Sequence, residues 1–171
     1  MALIKEVRGF VPSLATSCWL ADTAVIVGDV IAGEDCTFWF NAIVRGDVNA
    51  IRIGDNSNIQ DNATIHGTYE QAATHIGNNV SVGHNAIIHG CTLEDDVLIG
   101  MGAIVMDHAV VGKGAIVGAG SVVLEGTQIE PGWIYAGAPA KKIKPVEGKN
   151  RDMLIRIANS YRKYASWFEK V

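Results

Sequence analysis

Aliphatic residues recur at every sixth position through the middle of this 171-residue chain, and that short period limits what it can fold into. Ile53, Ile59 and Ile65 form one run, and Ile76, Val82 and Ile88 form a second after a longer gap. From Leu93 the register continues through Ile99, Val105, Val111, Val117, Val123 and Ile129, with Tyr135 in the next place. Fillers such as GMGA, GKGA and GAGS lie between them, as suits a backbone that turns a corner every few residues. A unit this short cannot bury its aliphatic residue alone, so successive coils must stack and share one core. Three flat faces per coil, at about eighteen residues per turn, give a triangular prism. An antiparallel barrel or sandwich also offers short strands and many glycines, but nothing in it would hold a six-residue phase over so many units. The expectation is an all-β solenoid, a parallel β-helix of hexapeptide repeats.

The flanks are less regular. Phe10, Val11, Leu14, Trp19 and Leu20 around Pro12 read as an opening strand and a cap over one end of the core. From Val25 to Ile53 the hexad register is loose, with Trp39 and Phe40 as core or subunit-contact residues. After Pro131 the run GWIYAGAPAKKIKP leaves the prism as an extended strap, and Pro145 and Gly148 mark a break. Beyond it Leu154, Ile157, Ala158, Tyr161, Tyr164, Ala165 and Phe168 recur at helical spacing, leaving Arg156, Arg162, Lys163 and Glu169 mostly elsewhere. The division is a β-helix with its cap over 1–145 and an amphipathic helix packed on the prism over 146–171. The tyrosine stripe of that helix reads as packing.

With 49% hydrophobic residues the chain can build one real core, and a second full domain is not expected. A net charge of −4 provides no broad basic surface, which argues against nucleic acid or an anionic membrane as the main partner. No apolar run reaches membrane-spanning length and no secretory signal opens the chain, so a cytoplasmic location is expected. Cys18, Cys36 and Cys91 share no metal-type spacing and read as core or turn thiols.

Three histidines sit at defined points of the repeat. His66 and His89 each follow the third aliphatic of a triplet, in the contexts TIHG and IIHG, while His84 comes two places after Val82. Neighbouring strand residues face opposite ways, so a residue following an inward aliphatic faces outward. If the gap between Ile65 and Ile76 is a hexad carrying a corner loop near YEQAA, His66 and His89 share one face of successive coils. Coils stack about 4.8 Å apart, near enough for two imidazoles to reach one ion. His84 cannot join them within the chain, because it precedes His89 by five residues, roughly 16 Å of extended backbone. If all three bind one metal, His84 comes from a neighbouring copy, and three prisms around a three-fold axis would give three equivalent sites. Three neutral imidazoles with an open fourth position are the make-up of a catalytic zinc site, which Fe2+ or Co2+ could also occupy. His108, at an expected corner, reads as an ordinary histidine, and His75 as the same or as a proton shuttle.

The run VRGDVNAIRIGDNSNIQDNATIH, followed by VGHNAIIHG and YAGAPAK, resembles the γ-class carbonic anhydrases and their relatives in carnitine and phenylacetate operons. The resemblance extends from about Val25 to Lys142. It implies a left-handed β-helix, a homotrimer, and a metal at each interface held by His66 and His89 of one subunit and His84 of the next. It further implies that Arg45 and Asp61 pair across the interface, that Asp47 is the aspartate of the RGD run, and that Gln60 contacts metal-bound solvent. Tyr135 matches the tyrosine of the YAGxPA segment. Asp61 and His84 are each the third residue of their hexads one coil apart, so they should stack at one edge. One departure is that the acidic loop expected after the RGD run, with its proton-transferring glutamate, is replaced by VNAIRIG. Glu70 and His75 are the substitutes the chain offers.

The implied reaction is hydration of carbon dioxide to bicarbonate by a hydroxide held on the metal. The same hydroxide aimed at an acyl-CoA thioester is a second reading. A hexapeptide-repeat acyltransferase using a histidine base, and a non-catalytic trimer stabilised by metal, are the others.

Overall fold

The computed structural model describes residues 1–168. Glu169, expected on an outer side of the terminal helix, lies outside them. The described chain is a parallel β-helix closed by one helix, as the repeat predicts. Its short strands form a twelve-stranded and an eight-stranded sheet, and every strand pairing is parallel except that of Trp133–Ala136 with the returning strap Lys141–Pro145. The opening strand Leu3–Lys5 pairs with Val25–Val27 and begins the stack.

The core follows directly from the period. Phe38, Ile59, Val82, Ile99, Val117 and Tyr135 are successive partners, one per coil, and all are buried. Leu93, Val105, Val111, Val123 and Ile129 are buried in the same way. Each fully buried aliphatic contributes about 1.5–3 kcal/mol, and only stacking on the coils above and below removes it from water. The corners turn on residues in the left-handed region: Asn41, Asn56, Asn62, Asn79, Asn85, Asp96 and His108 have φ between 52° and 60°. Asn and Asp tolerate that conformation better than other side chains that carry a Cβ, which is why polar residues punctuate the aliphatic rhythm.

The terminal helix, Lys149–Ala165, lies along the prism and buries Leu154, Ala158 and Ala165. Trp39 is buried within the chain, with its ring centroid 4.8 Å from Trp19 and 5.3 Å from Tyr161. Arg162 fastens the helix to Asp35 at 2.7 Å, and Asn159 accepts from Asn56 at 3.1 Å. Cys36 and Cys91 are buried and Cys18 is half-buried, all free thiols. No described helix is long and apolar enough to cross a membrane.

Replacing Ile99, which is wholly buried in the middle of its column, by alanine should cost about 2–5 kcal/mol. Urea unfolding reads this as a lower midpoint with an unchanged slope.

Candidate metal centre

The gap between Ile65 and Ile76 is a corner loop whose neck is closed by pairing of Thr68 with Ala72. The loop takes up the extra residues, so the next coil returns in phase and His89 pairs in register with His66. The two rings stand 5.1 Å apart between centroids, and His66 Nδ1 lies 3.1 Å from His89 Nε2.

The outer nitrogens of the pair are both engaged by carboxylates. His66 Nε2 meets Asp47 Oδ1 at 3.1 Å, and His89 Nδ1 meets Asp107 Oδ1 at 2.5 Å. Burial alone would raise the Asp47 carboxyl, but hydrogen bonds from Arg45 and His66 outweigh it and hold it below the usual carboxylate range. Burial likewise opposes the Asp107 charge, and Thr68 and His89 overcome it with the same result. Burial also lowers the proton affinity of His66, and the Asp47 hydrogen bond only partly offsets this. Both aspartates are therefore anionic acceptors, and each imidazole spends its N–H on its own aspartate. That assignment, made from the hydrogen-bond network, leaves the two facing nitrogens as lone pairs.

Asp47 is positioned by the long strand Ile43–Ile53. Between Arg45 and Asp47, a Cβ on Gly46 would lie 2.6 Å from the Asp29 carbonyl, so only glycine lets the strands approach there. Arg45 reaches Asp47 Oδ2 at 2.5 Å within its own chain. Where an acidic loop would have emerged the strand only bulges, with residues 47–50 standing opposite Asp29 alone. Arg8 lies over this region, donating to the Asp47 carbonyl at 3.3 Å with its guanidinium 5.3 Å from the Tyr69 ring centroid.

His84 stands at a different edge. Its Nδ1 meets Asp61 Oδ2 at 2.8 Å, one coil away, and its Nε2 lies 3.3 Å from the Tyr161 hydroxyl. Burial, then the charge of Asp61, pushes the Tyr161 phenol up to about 12, so it is a neutral hydrogen-bonding group at ordinary pH. Gln60 is buried beside them, its amide nitrogen donating to Asn58 at 3.0 Å. Gln60, His84 and Tyr161 line a cleft of about 590 Å3 between the prism and the helix. Among the described residues, no group of three His, Cys, Asp or Glu side chains in one chain converges on a metal position.

Tyr135 does not join these groups within the chain. It occupies the inward place after Val117, and its hydroxyl lies 3.5 Å from Glu130 at the far end of the stack. The YAG segment that carries it begins as another core rung, so within the chain Tyr135 packs with its ring inward and its hydroxyl towards Glu130. Glu70 is exposed in the corner loop, with φ of 53°. His75 lies in register with Arg52 and Thr92 on the strand after that loop, away from the His66 and His89 ladder. Asp107 and Tyr161 are the contacts that sequence reasoning missed. Counting coils falls one place short of Asp107, since Ile88 stacks on Val105 and the next place along is Met106. Tyr161 was not legible either, because a helical stripe does not say which coil it will face.

The donor set fits a metal. Two nitrogens each 2.0–2.1 Å from zinc at a tetrahedral angle are about 3.3 Å apart, close to the observed 3.1 Å. His66, His89 and a third imidazole from a second chain would complete a three-nitrogen set, with a carboxylate behind each ligand.

A bacterial transferase hexapeptide (six repeats) signature matches residues 90–125. The chain is 36% identical to a carbonic anhydrase of Geobacillus kaustophilus over 167 residues, 98% of this chain and 91% of that one. The chain belongs to the γ-carbonic-anhydrase-like hexapeptide-repeat family. It is also 39% identical to the mitochondrial gamma carbonic anhydrase 2 of Arabidopsis thaliana, over 90% of this chain and 56% of that one. A solved hexapeptide transferase family protein from Anaplasma phagocytophilum superposes with a TM-score of 0.93 at 34% identity, covering 97% of this chain and 98% of that one. Family membership thus fixes the scaffold, while the names attached to it divide between two chemistries.

Proposed function

We propose that this chain is a metal-dependent carbon dioxide hydratase whose sites form between the subunits of a homotrimer. The observation that carries the proposal is the facing pair, His66 Nδ1 and His89 Nε2, 3.1 Å apart with each outer nitrogen committed to a carboxylate. Two lone pairs at that separation repel unless a cation lies between them. His84 of a neighbouring subunit is the third ligand, backed by Asp61. A divalent metal held there, Zn2+ or alternatively Fe2+ or Co2+, would supply a water acidic enough to act as hydroxide near neutrality.

The side chains divide the remaining work. The Gln60 amide nitrogen is held by Asn58, which leaves its carbonyl oxygen as the group it can offer the site. That oxygen is the acceptor that orients the attacking water. Asp47 holds the His66 ring while Arg45 offsets the charge of Asp47, and in the proposed trimer the family resemblance has Arg45 pair with the neighbour's Asp61. Hydration releases a proton in each cycle, and with no acidic loop beside Asp47 that proton leaves slowly or through buffer.

One observation favours a thioester substrate as the second reading. The cleft beside His84 is walled by Leu98, Met101, Met153 and Ile157, more apolar room than carbon dioxide needs. An acyltransferase base needs one imidazole and leaves the facing pair unexplained.

His84→Ala and His89→Ala should each lose metal and carbon dioxide hydration. Co-expressed in equal amounts, they should restore metal to about one interface in four, since a whole site then needs one subunit of each kind in the right order. No recovery in mixed trimers, read by metal analysis, would sink the intersubunit site. Metal in the wild type without hydration would keep the site and sink the reaction.

Tyr161→Phe removes a neutral hydrogen bond from the His84 nitrogen that must face the metal. Such a bond is worth about 0.5–1.5 kcal/mol, so zinc affinity should rise about two- to tenfold. Competition against a fluorescent chelator measures it, and weaker binding would mean that the phenol supports the ligand instead.

A further inference from the structure

The geometry points to Asp107 as the positioning residue that holds His89 in the tautomer with its proton on Nδ1, leaving Nε2 free to face His66. This rests on the reading of His66 and His89 as ligands, and adds to it a carboxylate outside the resemblance.

Three features built around His89 Nδ1 support it. Asp107 Oδ1 lies 2.5 Å from that nitrogen. The other carboxylate oxygen accepts from the Thr68 hydroxyl, which ties the carboxylate to the neck of the corner loop. Thr68 is itself fixed: its carbonyl accepts from Asn49 at 3.1 Å, and its amide donates to the Ala72 carbonyl at 2.9 Å. Finally, the residue after His89 is Gly90, with φ of 54°, and a Cβ there would lie 2.5 Å from Asp107 Oδ1 and 2.6 Å from the Ala72 side chain. The glycine leaves the space in which the carboxylate and the loop meet. The loop between Ile65 and Ile76 therefore does more than take up spare residues, since it brings a hydroxyl to the aspartate that orients the ligand.

An imidazole ligand whose N–H is held by a carboxylate is fixed in orientation and made more basic. Loss of such a partner typically weakens metal binding by 10–100-fold. The paired aspartates are not equivalent here. Asp47 is shared with Arg45, whereas Asp107 has the neutral Thr68 as its second partner, so Asp107 keeps more of its charge for its histidine.

The test uses the full-length protein with metal removed, and then with Zn2+ added. In the metal-free protein, 15N-detected imidazole spectra should show His89 with its proton on Nδ1 in the wild type. The proton should move towards Nε2 in Asp107→Ala. Zinc affinity, measured against a chelator, should fall 10–100-fold in Asp107→Ala. It should fall less in Asp107→Asn, which keeps a neutral acceptor in the same volume, and by only a fewfold in Thr68→Val. Asp107→Asn also serves if the alanine variant fails to fold. A His89 tautomer and a zinc affinity unchanged in Asp107→Asn and in a folded Asp107→Ala overturn the assignment. A wild type that binds no zinc removes the ligand reading instead, and the tautomer spectra then decide this inference alone.

Discussion

Parallel coils stacked about 4.8 Å apart place equivalent positions of successive turns directly over one another, and this in-register stacking governs both the core and the site. Inward, it turns a period-six aliphatic pattern into continuous columns such as Phe38, Ile59, Val82 and Ile99. Outward, it lays any chemistry that recurs with the coil into a ladder. His66 and His89 are distant in sequence yet direct partners on one face. Each histidine also meets a carboxylate from an adjoining coil, in register for Asp61 and His84 and displaced along the strand for Asp47 beside His66 and Asp107 beside His89.

Stacking also makes the corners consequential. A parallel coil closes only if the backbone enters the left-handed region at its corners, and Asn and Asp do this at modest cost. Where the chain instead needs close approach, glycine is forced. Gly46 lets the Asp47 strand meet the Asp29 backbone, and Gly90 lets the Asp107 carboxylate reach under His89. Residues that read as punctuation in the sequence thus set the geometry of the histidine pair and its aspartates.

The fold was legible because its period is local and long sustained, and the histidine ladder because it shares that period. The edge shared by Asp61 and His84 followed from counting places in the hexad. What counting could not supply lies outside the repeat. Tyr161 reaches His84 because the helix docks at one particular height on the prism, and no residue of the helix declares that height. Tyr135 shows the converse. Its hexad place alone, the next after Ile129, puts the ring in the core column that runs through Val117. Register places such a side chain within its own chain, because an inward position is enforced by every coil that stacks on it.

Charge explains why three carboxylates can crowd around one proposed ion. In the proposed trimer Asp47, Asp61 and Asp107 would be matched by a divalent cation together with Arg45, whose guanidinium already lies on Asp47. Without the cation, each aspartate is stabilised mainly by local donors: Arg45 and His66 for one, His84 for the second, Thr68 and His89 for the third. The proton is the other cation small enough to sit between the facing nitrogens of His66 and His89. Burial of His66 works against that proton, since a charged imidazolium loses more solvation than a neutral ring does. The proposed metal would instead take a lone pair from each ring while both imidazoles stay neutral, each with its N–H held by an aspartate.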